Sequence, residues 1–277
     1  MLQSMVRRFA PAVLTRLDDQ REPTPLLLHP ALPYGIKAVA LPLACLPVLK
    51  RTSGGKLVCA EQEDVGWDWG QCLPRSIQDA SPQRIRSFIA GRLCAEKALQ
   101  RLHQSHAPLN NGYGGMSTAV DMGPRGEPIW PQWQGQHLIG SITHSERLAA
   151  AVVCPKHFIQ AIGIDCEEFM DAQCQAAALQ LCFTAQELER FPDLARDSAL
   201  TTLMYATKEA FYKAIWPTVQ RFVDFKEVEV DSLDRESGVL QLFSRSHDVA
   251  MLLRERWLHC FRESGGDVHA LSALIAH

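Results

Sequence analysis

Ala161-Ile162-Gly163-Ile164-Asp165-Cys166-Glu167 reads as a buried strand that runs out into charge. Side chains along a strand alternate between its faces, so Asp165 and Glu167 point one way and Cys166 the other. Glu168 falls on the side of Cys166. Two carboxylates that close repel unless a cation or water lies between them. Some forty residues on, Lys208-Glu209-Ala210-Phe211-Tyr212-Lys213 lies in a segment with helical spacing, which Ser198 caps and Pro217 is expected to stop near Trp216. Glu209 and Lys213 are four residues apart and neighbours on the helix surface. Leu203, Tyr205, Phe211, Tyr212 and Ile215 surround them, so the charges lie on a helix that is largely covered. Three acids that converge, with lysines beside them, suit a hard divalent cation holding a phosphate ester.

Outward from this pair of elements the chain reads as α+β. Towards the N-terminus, His137–Ser145 and Leu148–Cys154 are expected strands joined by a turn at Ser145-Glu146-Arg147. Before them, residues 106–136 read as loop, and Ser81-Pro82 opens a helix on which Ile85, Phe88, Ile89, Ala95, Leu99 and Leu102 share one face. Arg84, Arg86 and Arg92 decorate that helix. Ile36–Leu46 and Lys56–Cys59 are candidate strands, although Pro42 and Pro47 interrupt. Towards the C-terminus, Thr184-Ala185-Gln186-Glu187 is a capping box. Strands follow at Phe225–Val230, Val239–Phe243 and Trp257–Phe261, and an apolar run closes the chain at Leu271–Ala276. Helix followed by strands occurs in both parts, which predicts two similar halves, 1–158 and 159–277.

The bulk numbers narrow the function classes. The chain has 277 residues, 47% hydrophobic and 21% charged, with a formal net charge of −3, which exerts no general pull towards nucleic acid or anionic membrane. Nine cysteines, an odd number, show no zinc-ligand spacing; a reducing cytoplasm without disulfides is expected. The apolar stretch after Arg7 and Arg8 is broken by Pro11 and Arg16, so neither a secretory leader nor a membrane span is expected. No GxxxxGK[ST] loop is present. His144, in Ser141-Ile142-Thr143-His144-Ser145, ends a strand among hydroxyls and becomes a phosphate donor if it shares a cleft with Arg86 or Arg92.

Taken together, Gly163–Glu167 and Tyr205–Lys213 resemble the two signatures of the 4′-phosphopantetheinyl transferase superfamily, in its larger, pseudo-dimeric form. Ile89-Ala90-Gly91-Arg92-Leu93, Arg125-Gly126-Glu127-Pro128-Ile129-Trp130-Pro131 and Ser141–Ser145 resemble three lesser signatures in the right order. The matching region spans roughly residues 81–215. Tyr205 and Ala206 depart from the commoner residues, and Glu127 stands where some relatives carry a lysine near adenine.

The resemblance implies two α/β halves related by a pseudo-twofold axis, with the active site in the cleft between them. It implies transfer of 4′-phosphopantetheine from coenzyme A to a serine of an apo acyl or peptidyl carrier protein, in fatty-acid, siderophore, polyketide or nonribosomal peptide synthesis. Mg²⁺ would sit on Asp165, Glu167 and Glu209. Glu209 would act as base, Lys213 would stabilise the leaving phosphate and Lys208 would assist. Arg86, Arg92, Thr143 and His144 would hold coenzyme A. A monomer is implied, because one chain builds the whole cleft. A non-catalytic coenzyme A- or carrier-binding relative and a Mg²⁺-dependent phosphohydrolase remain alternatives.

Overall fold

A computed structural model describes residues 35–60, 73–106, 120–133 and 135–276. The reading of Arg7–Arg16 and the part of the expected loop at 107–119 lie outside those residues. Thirteen strands are described: β1 Lys37–Pro42, β2 Leu49–Arg51, β3 Leu57–Cys59, β4 Asp121–Met122, β5 Pro128–Ile129, β6 Gln132–Trp133, β7 Gln136–His144, β8 Leu148–Pro155, β9 Ile159–Glu168, β10 Val228–Asp234, β11 Val239–Ser244, β12 Trp257–Ser264 and β13 Asp267–Ile275. Four helices matter to the site: α1 Pro82–His106, α2 Ala172–Leu181, α3 Ala185–Arg190 and α4 Ser198–Val219.

The strands form two main antiparallel sheets, ordered β1-β8-β7-β6 and β10-β11-β12-β13-β9. The first belongs to an N-terminal half with α1, the second to a C-terminal half with α4. The fold is α+β with two halves, and the layers run helix, sheet, sheet, helix. Ile85, Ile89, Leu93 and Leu99 of α1 pack on Val39, Leu41, Ala149, Ala151 and Val153. The opposite faces of β1 and β8, with Ala38, Ala40, Ala150 and Val152, meet Ile162, Ile164, Cys166, Leu271 and Ala273 of the second sheet. On the far side of that sheet, Leu203, Met204, Ala206 and Ala210 of α4 cover Val268 and Ala270. The alternation of strand residues thus divides every central strand between two cores.

Small residues let the layers approach. A Cβ on Gly163 would lie 1.9 Å from the Ala210 carbonyl oxygen, so only glycine lets α4 press onto β9 there. On α1, a Cβ on Gly91 would meet Ile142 of β7 at 2.7 Å.

Several expectations shift in detail. Pro42 ends β1, an edge strand, and residues 43–45 turn instead of continuing it. Asp197, rather than Ser198, caps α4 through the Leu200 N–H. The helix runs through Pro217 to Val219 and ends on Gln220, whose φ of 53° is left-handed. A proline near a helix end removes one bond without breaking the last turn. The strand expected at Phe225 begins at Val228, after one turn of 3₁₀ helix. The capping box at Thr184 is present, with reciprocal 3.1 Å bonds to Glu187. Every described cysteine is a free thiol, and among the described residues no helix is long and apolar enough to cross a membrane.

Candidate active site

Strand β7 lies beside β9 and its alternation splits it between two sites. Ser141 and Thr143 face β9: the Ser141 hydroxyl accepts the Ile164 N–H at 3.1 Å, and Thr143 donates to Asp165 Oδ1 at 2.9 Å. Ile142 and His144 face α1 and line a cleft there.

On the β9 side, Asp165 is buried and Glu167 half-buried, two residues apart on the face that meets α4. Lys213 of α4 donates to Asp165 Oδ1 at 2.5 Å, to the Ile164 carbonyl at 3.2 Å and to Thr143 Oγ1 at 3.3 Å. Glu209, one turn earlier, is half-buried on the same face of the helix. Glu168 points the other way and pairs with Arg147 at 3.5 Å.

The acids perturb one another. Burial, then Asp165, Glu209 and Glu168, push the Glu167 carboxyl up to about 8, against the pull of Lys213. Burial and then Asp165 also raise the Glu209 carboxyl. For Lys213, burial disfavours the ammonium, but Asp165 and Glu209 more than reverse that and leave it above the usual lysine value.

No three His, Cys, Asp or Glu side chains among the described residues are gathered closely enough to hold an ion as they stand. The donor set nevertheless fits one. Asp165 Oδ2 is buried without a partner among the described residues, and two neighbouring carboxyls have raised proton affinity that a cation would relieve. An all-oxygen set of this kind suits Mg²⁺, Mn²⁺ or Ca²⁺.

On the α1 side the cleft has a volume of about 440 Å³. Arg84, Ser87, Phe88, Gly91 and Arg92 form one stripe of the helix along it, with His144, Arg125 and Gly126 opposite, and no carboxylate among the described residues lines it. Arg84 contacts His144 Nε2. A guanidinium only donates, so Nε2 accepts and the ring proton sits on Nδ1. Burial, then Arg84 and Lys213, depress the imidazole to about 4 and keep it neutral. Arg92 donates to the Val120 and Asp121 carbonyls at 3.1 and 3.0 Å, over the Phe88 ring; burial lowers it to about 10, so it remains cationic at neutral pH.

The structure therefore brings together Asp165, Glu167, Glu209, Lys213 and Thr143, and separately His144 with Arg92. Two expected residues go elsewhere. Arg86 donates to the Leu43 and Leu46 carbonyls, fastening the segment after β1. Its place beside His144 belongs to Arg84, two residues earlier and about 200° round the helix. Lys208 is fully buried on the opposite side of α4 from the acids. It donates to Glu187 at 2.8 Å and to the Cys182 and Phe225 carbonyls at 2.9 and 3.1 Å. Five residues of helix, about 140°, separate it from Lys213. Choosing Arg86 over Arg84 is a judgement of helix register that leaves open which arginine of the 84–92 helix meets the substrate, although the spacing 84, 87/88, 91/92 is a readable stripe that contains Arg92. Arg125 opens the Arg125–Pro131 signature, but nothing local marks a role for its side chain.

Residues 74–154 match the family described as 4′-phosphopantetheinyl transferase N-terminal domain, and residues 161–261 match the 4′-phosphopantetheinyl transferase superfamily. The chain is 33% identical over 154 residues to 4′-phosphopantetheinyl transferase Npt of Nocardia iowensis, covering 56% of this chain and 62% of that one. It is 29% identical over 165 residues to 4′-phosphopantetheinyl transferase Svp of Streptomyces mobaraensis, covering 58% of this chain and 60% of that one. Against 4′-phosphopantetheinyl transferase PptT of Mycobacterium tuberculosis (strain ATCC 25618 / H37Rv), identity is 26% over 148 residues, 53% of this chain and 58% of the relative. The chain thus spans about three fifths of the length of the curated relatives it matches.

Proposed function

We propose that this chain, which belongs to the 4′-phosphopantetheinyl transferase superfamily, moves the phosphopantetheine group of coenzyme A onto a serine of an apo acyl or peptidyl carrier protein. The observation that carries this reading is the juxtaposition of a carboxylate cluster with a basic cleft on the two faces of one strand, β7. A substrate with a diphosphate at one end and a phosphorylated nucleoside at the other needs both.

Arg84, His144 and Arg92 hold the 3′-phosphate and the adenosine end; the neutral imidazole and two guanidinium groups supply donors, with no carboxylate among the described lining residues to compete. Asp165, Glu167 and Glu209 would hold a divalent cation such as Mg²⁺, which when bound neutralises diphosphate charge. Glu209, whose burial raises its proton affinity, takes the proton of the carrier serine. The serine oxygen forms a bond to the phosphorus that bears pantetheine. The bond from that phosphorus to the bridging oxygen breaks, and adenosine 3′,5′-bisphosphate leaves with the electron pair. Lys213, fixed by Asp165 and Thr143, places its ammonium where negative charge grows on the departing phosphate. Thr143 orients this lysine and Asp165 rather than reacting. We assign the protein to the reducing cytoplasm as a monomer, on the free cysteines and on a cleft formed within one chain.

The test is the intact mass of an apo carrier protein after incubation with this protein, coenzyme A and Mg²⁺. The expected result is a gain of one phosphopantetheine group, abolished by EDTA and by Glu209→Gln. Coenzyme A binding without any gain on several carrier types would overturn the reading in favour of a non-catalytic relative. Carrier-independent cleavage of coenzyme A would overturn it in favour of a hydrolase.

A further inference from the structure

The loop between β4 and β5 forms one wall of the basic cleft, yet these strands are two residues long and, among the described residues, pair only with each other. A two-residue hairpin has little stability of its own. Its turn is closed from within: the Gly123 N–H donates to the Glu127 carbonyl at 2.8 Å, and the Glu127 carboxylate accepts the Arg125 N–H at 2.9 Å. Gly126, at φ +91°, makes the reversal possible. Glu127 is thereby spent on the turn, and the turn aims Arg125 away from the hairpin.

Arg125 crosses to the other half of the molecule. Its Nη1 donates to the carbonyl of Gln220 at 3.1 Å, and its guanidinium lies 5.0 Å from the centre of the Trp216 ring. Gln220 is the left-handed residue that ends α4. Carbonyls at a helix C-terminus lack intrahelical partners and carry the negative end of the helix dipole, so a cation is favoured there. The flat guanidinium can donate in its plane and stack on an indole at once, which an ammonium cannot do. Trp216 is one turn beyond Lys213 and two beyond Glu209 on the same helix.

We propose that Arg125 is a positioning residue, a clasp that fixes the wall of the basic cleft to the helix carrying Glu209 and Lys213. The inference rests on the transferase reading for its effect on coenzyme A, which must reach from one half to the other. It acts on the distance between the two grips on that substrate, not on either grip alone. Misplacing bound groups by about 1 Å costs on the order of 10²-fold in rate; a clasp at one edge of the cleft accounts for part of that.

The test compares Arg125→Leu, Arg125→Lys and Trp216→Leu, using coenzyme A and its fragment adenosine 3′,5′-bisphosphate. Arg125 is exposed, so the leucine variant retains the fold. For Arg125→Leu, kcat/KM for coenzyme A falls about 10-fold while the fragment, which engages only the basic cleft, binds within twofold of wild type. Trp216→Leu gives a similar loss, the double variant adds little to it, and Arg125→Lys recovers part. Equal losses for coenzyme A and fragment would make Arg125 a direct phosphate ligand and overturn the clasp; so would no loss for either. A readout independent of activity is hydrogen exchange in the wild type and Arg125→Leu. Faster exchange at both 121–129 and 216–223 supports the clasp, and unchanged exchange at the second segment overturns it. If wild-type protein neither binds coenzyme A nor modifies a carrier, the transferase reading fails, and the exchange result alone decides the clasp.

Discussion

Helices α1 and α4 both lie lengthwise on an antiparallel sheet with a glycine at a close approach, and they present opposite chemistry. At the crossing in the N-terminal half the glycine is on the helix, Gly91 against Ile142; in the C-terminal half it is on the strand, Gly163 against Ala210. From α1 the cleft receives Arg84 and Arg92, with His144 opposite. From α4 the acid cluster receives Glu209 and Lys213, with Asp165 and Glu167 opposite. The difference teaches that one helix-on-sheet frame serves two tasks and that charge alone distinguishes them. One face grips phosphate oxygens; the other holds carboxylates under enough mutual repulsion to want a cation. Strand β7 joins the two, giving residues 141 and 143 to one site and 142 and 144 to the other.

The most severe way to break this contrast is to neutralise the acid side. Glu209→Gln is expected to lower carrier modification about 10³-fold, equivalent to about 4 kcal/mol in the barrier. Its melting temperature without metal should equal or exceed that of wild type, because a carboxyl whose ionised form burial and Asp165 disfavour has been removed. Calorimetry beside the mass assay checks both; a large drop in melting temperature would mean that Glu209 is structural.

Next in size is a contrast within α4. Lys208→Met leaves Glu187, fully buried and paired at 2.8 Å, without its cation. Breaking such a pair costs about 3–5 kcal/mol. Urea denaturation should show that loss with and without Mg²⁺, while kcat/KM per folded molecule stays within about threefold. Lys213→Met should do the reverse: activity falls on the order of 10²-fold, and Mg²⁺ restores whatever stability is lost at Asp165. Equal behaviour of the two variants would erase the distinction between them.

Those two lysines also show what was legible in the sequence. A period of two placed Asp165 and Glu167 together and put Cys166 and Glu168 elsewhere, because sheet geometry leaves a strand no other choice. A spacing of four placed Glu209 beside Lys213 for the same reason. Lys208 was drawn into the site by adjacency in sequence, although one helical step is 100°. Its own pattern argued otherwise, for Lys208 lies on the buried stripe of Met204, Phe211 and Ile215. What lay beyond reach were partners supplied by tertiary structure. Glu187 comes to Lys208 from 21 residues away, and Gln220 to Arg125 from 95. The carbonyls of Leu43 and Leu46, which hold Arg86, carry no side-chain signature at all.

On the basic side the expected effects are smaller. Arg84→Leu and His144→Ala should each reduce the preference for coenzyme A over its 3′-dephospho form by about 10-fold, since a charge-assisted hydrogen bond is worth about 1.5–3 kcal/mol. Arg86→Leu should leave that preference intact and cost stability, because it releases two backbone carbonyls. KM values for the two substrates separate the outcomes. A preference lost in Arg86→Leu but kept in Arg84→Leu would reverse the assignment made from the structure.

The smallest effect comes from pH, and its sign can be worked out. Glu167 has a folded-state value raised to about 8, so around neutrality the folded protein holds a proton that the unfolded chain has released. Stability from this group is fully present below the ordinary carboxylate value and is lost as pH rises through about 8. Four histidines oppose it: burial holds His144 near 4, His259 near 3, and His103 and His269 below the usual value, so each makes the fold less stable below about 6.5. At about pH 7 the unfolded histidines still hold part of their protons. Towards about pH 8.5, buried thiols such as Cys94, Cys154, Cys166 and Cys260, held above their ordinary value by burial, add a loss of the same sign. The Glu167 contribution is therefore read as the difference between wild type and Glu167→Gln over about pH 7 to 8.5. In that difference, metal-free protein should lose up to about 1 kcal/mol per pH unit, read by denaturation in EDTA. Glu167→Gln should flatten the slope, and so should saturating Mg²⁺, which competes for the same oxygens as the proton. An unchanged slope in Glu167→Gln would remove Glu167 from the repelling cluster and leave Asp165 and Glu209 as its only acids.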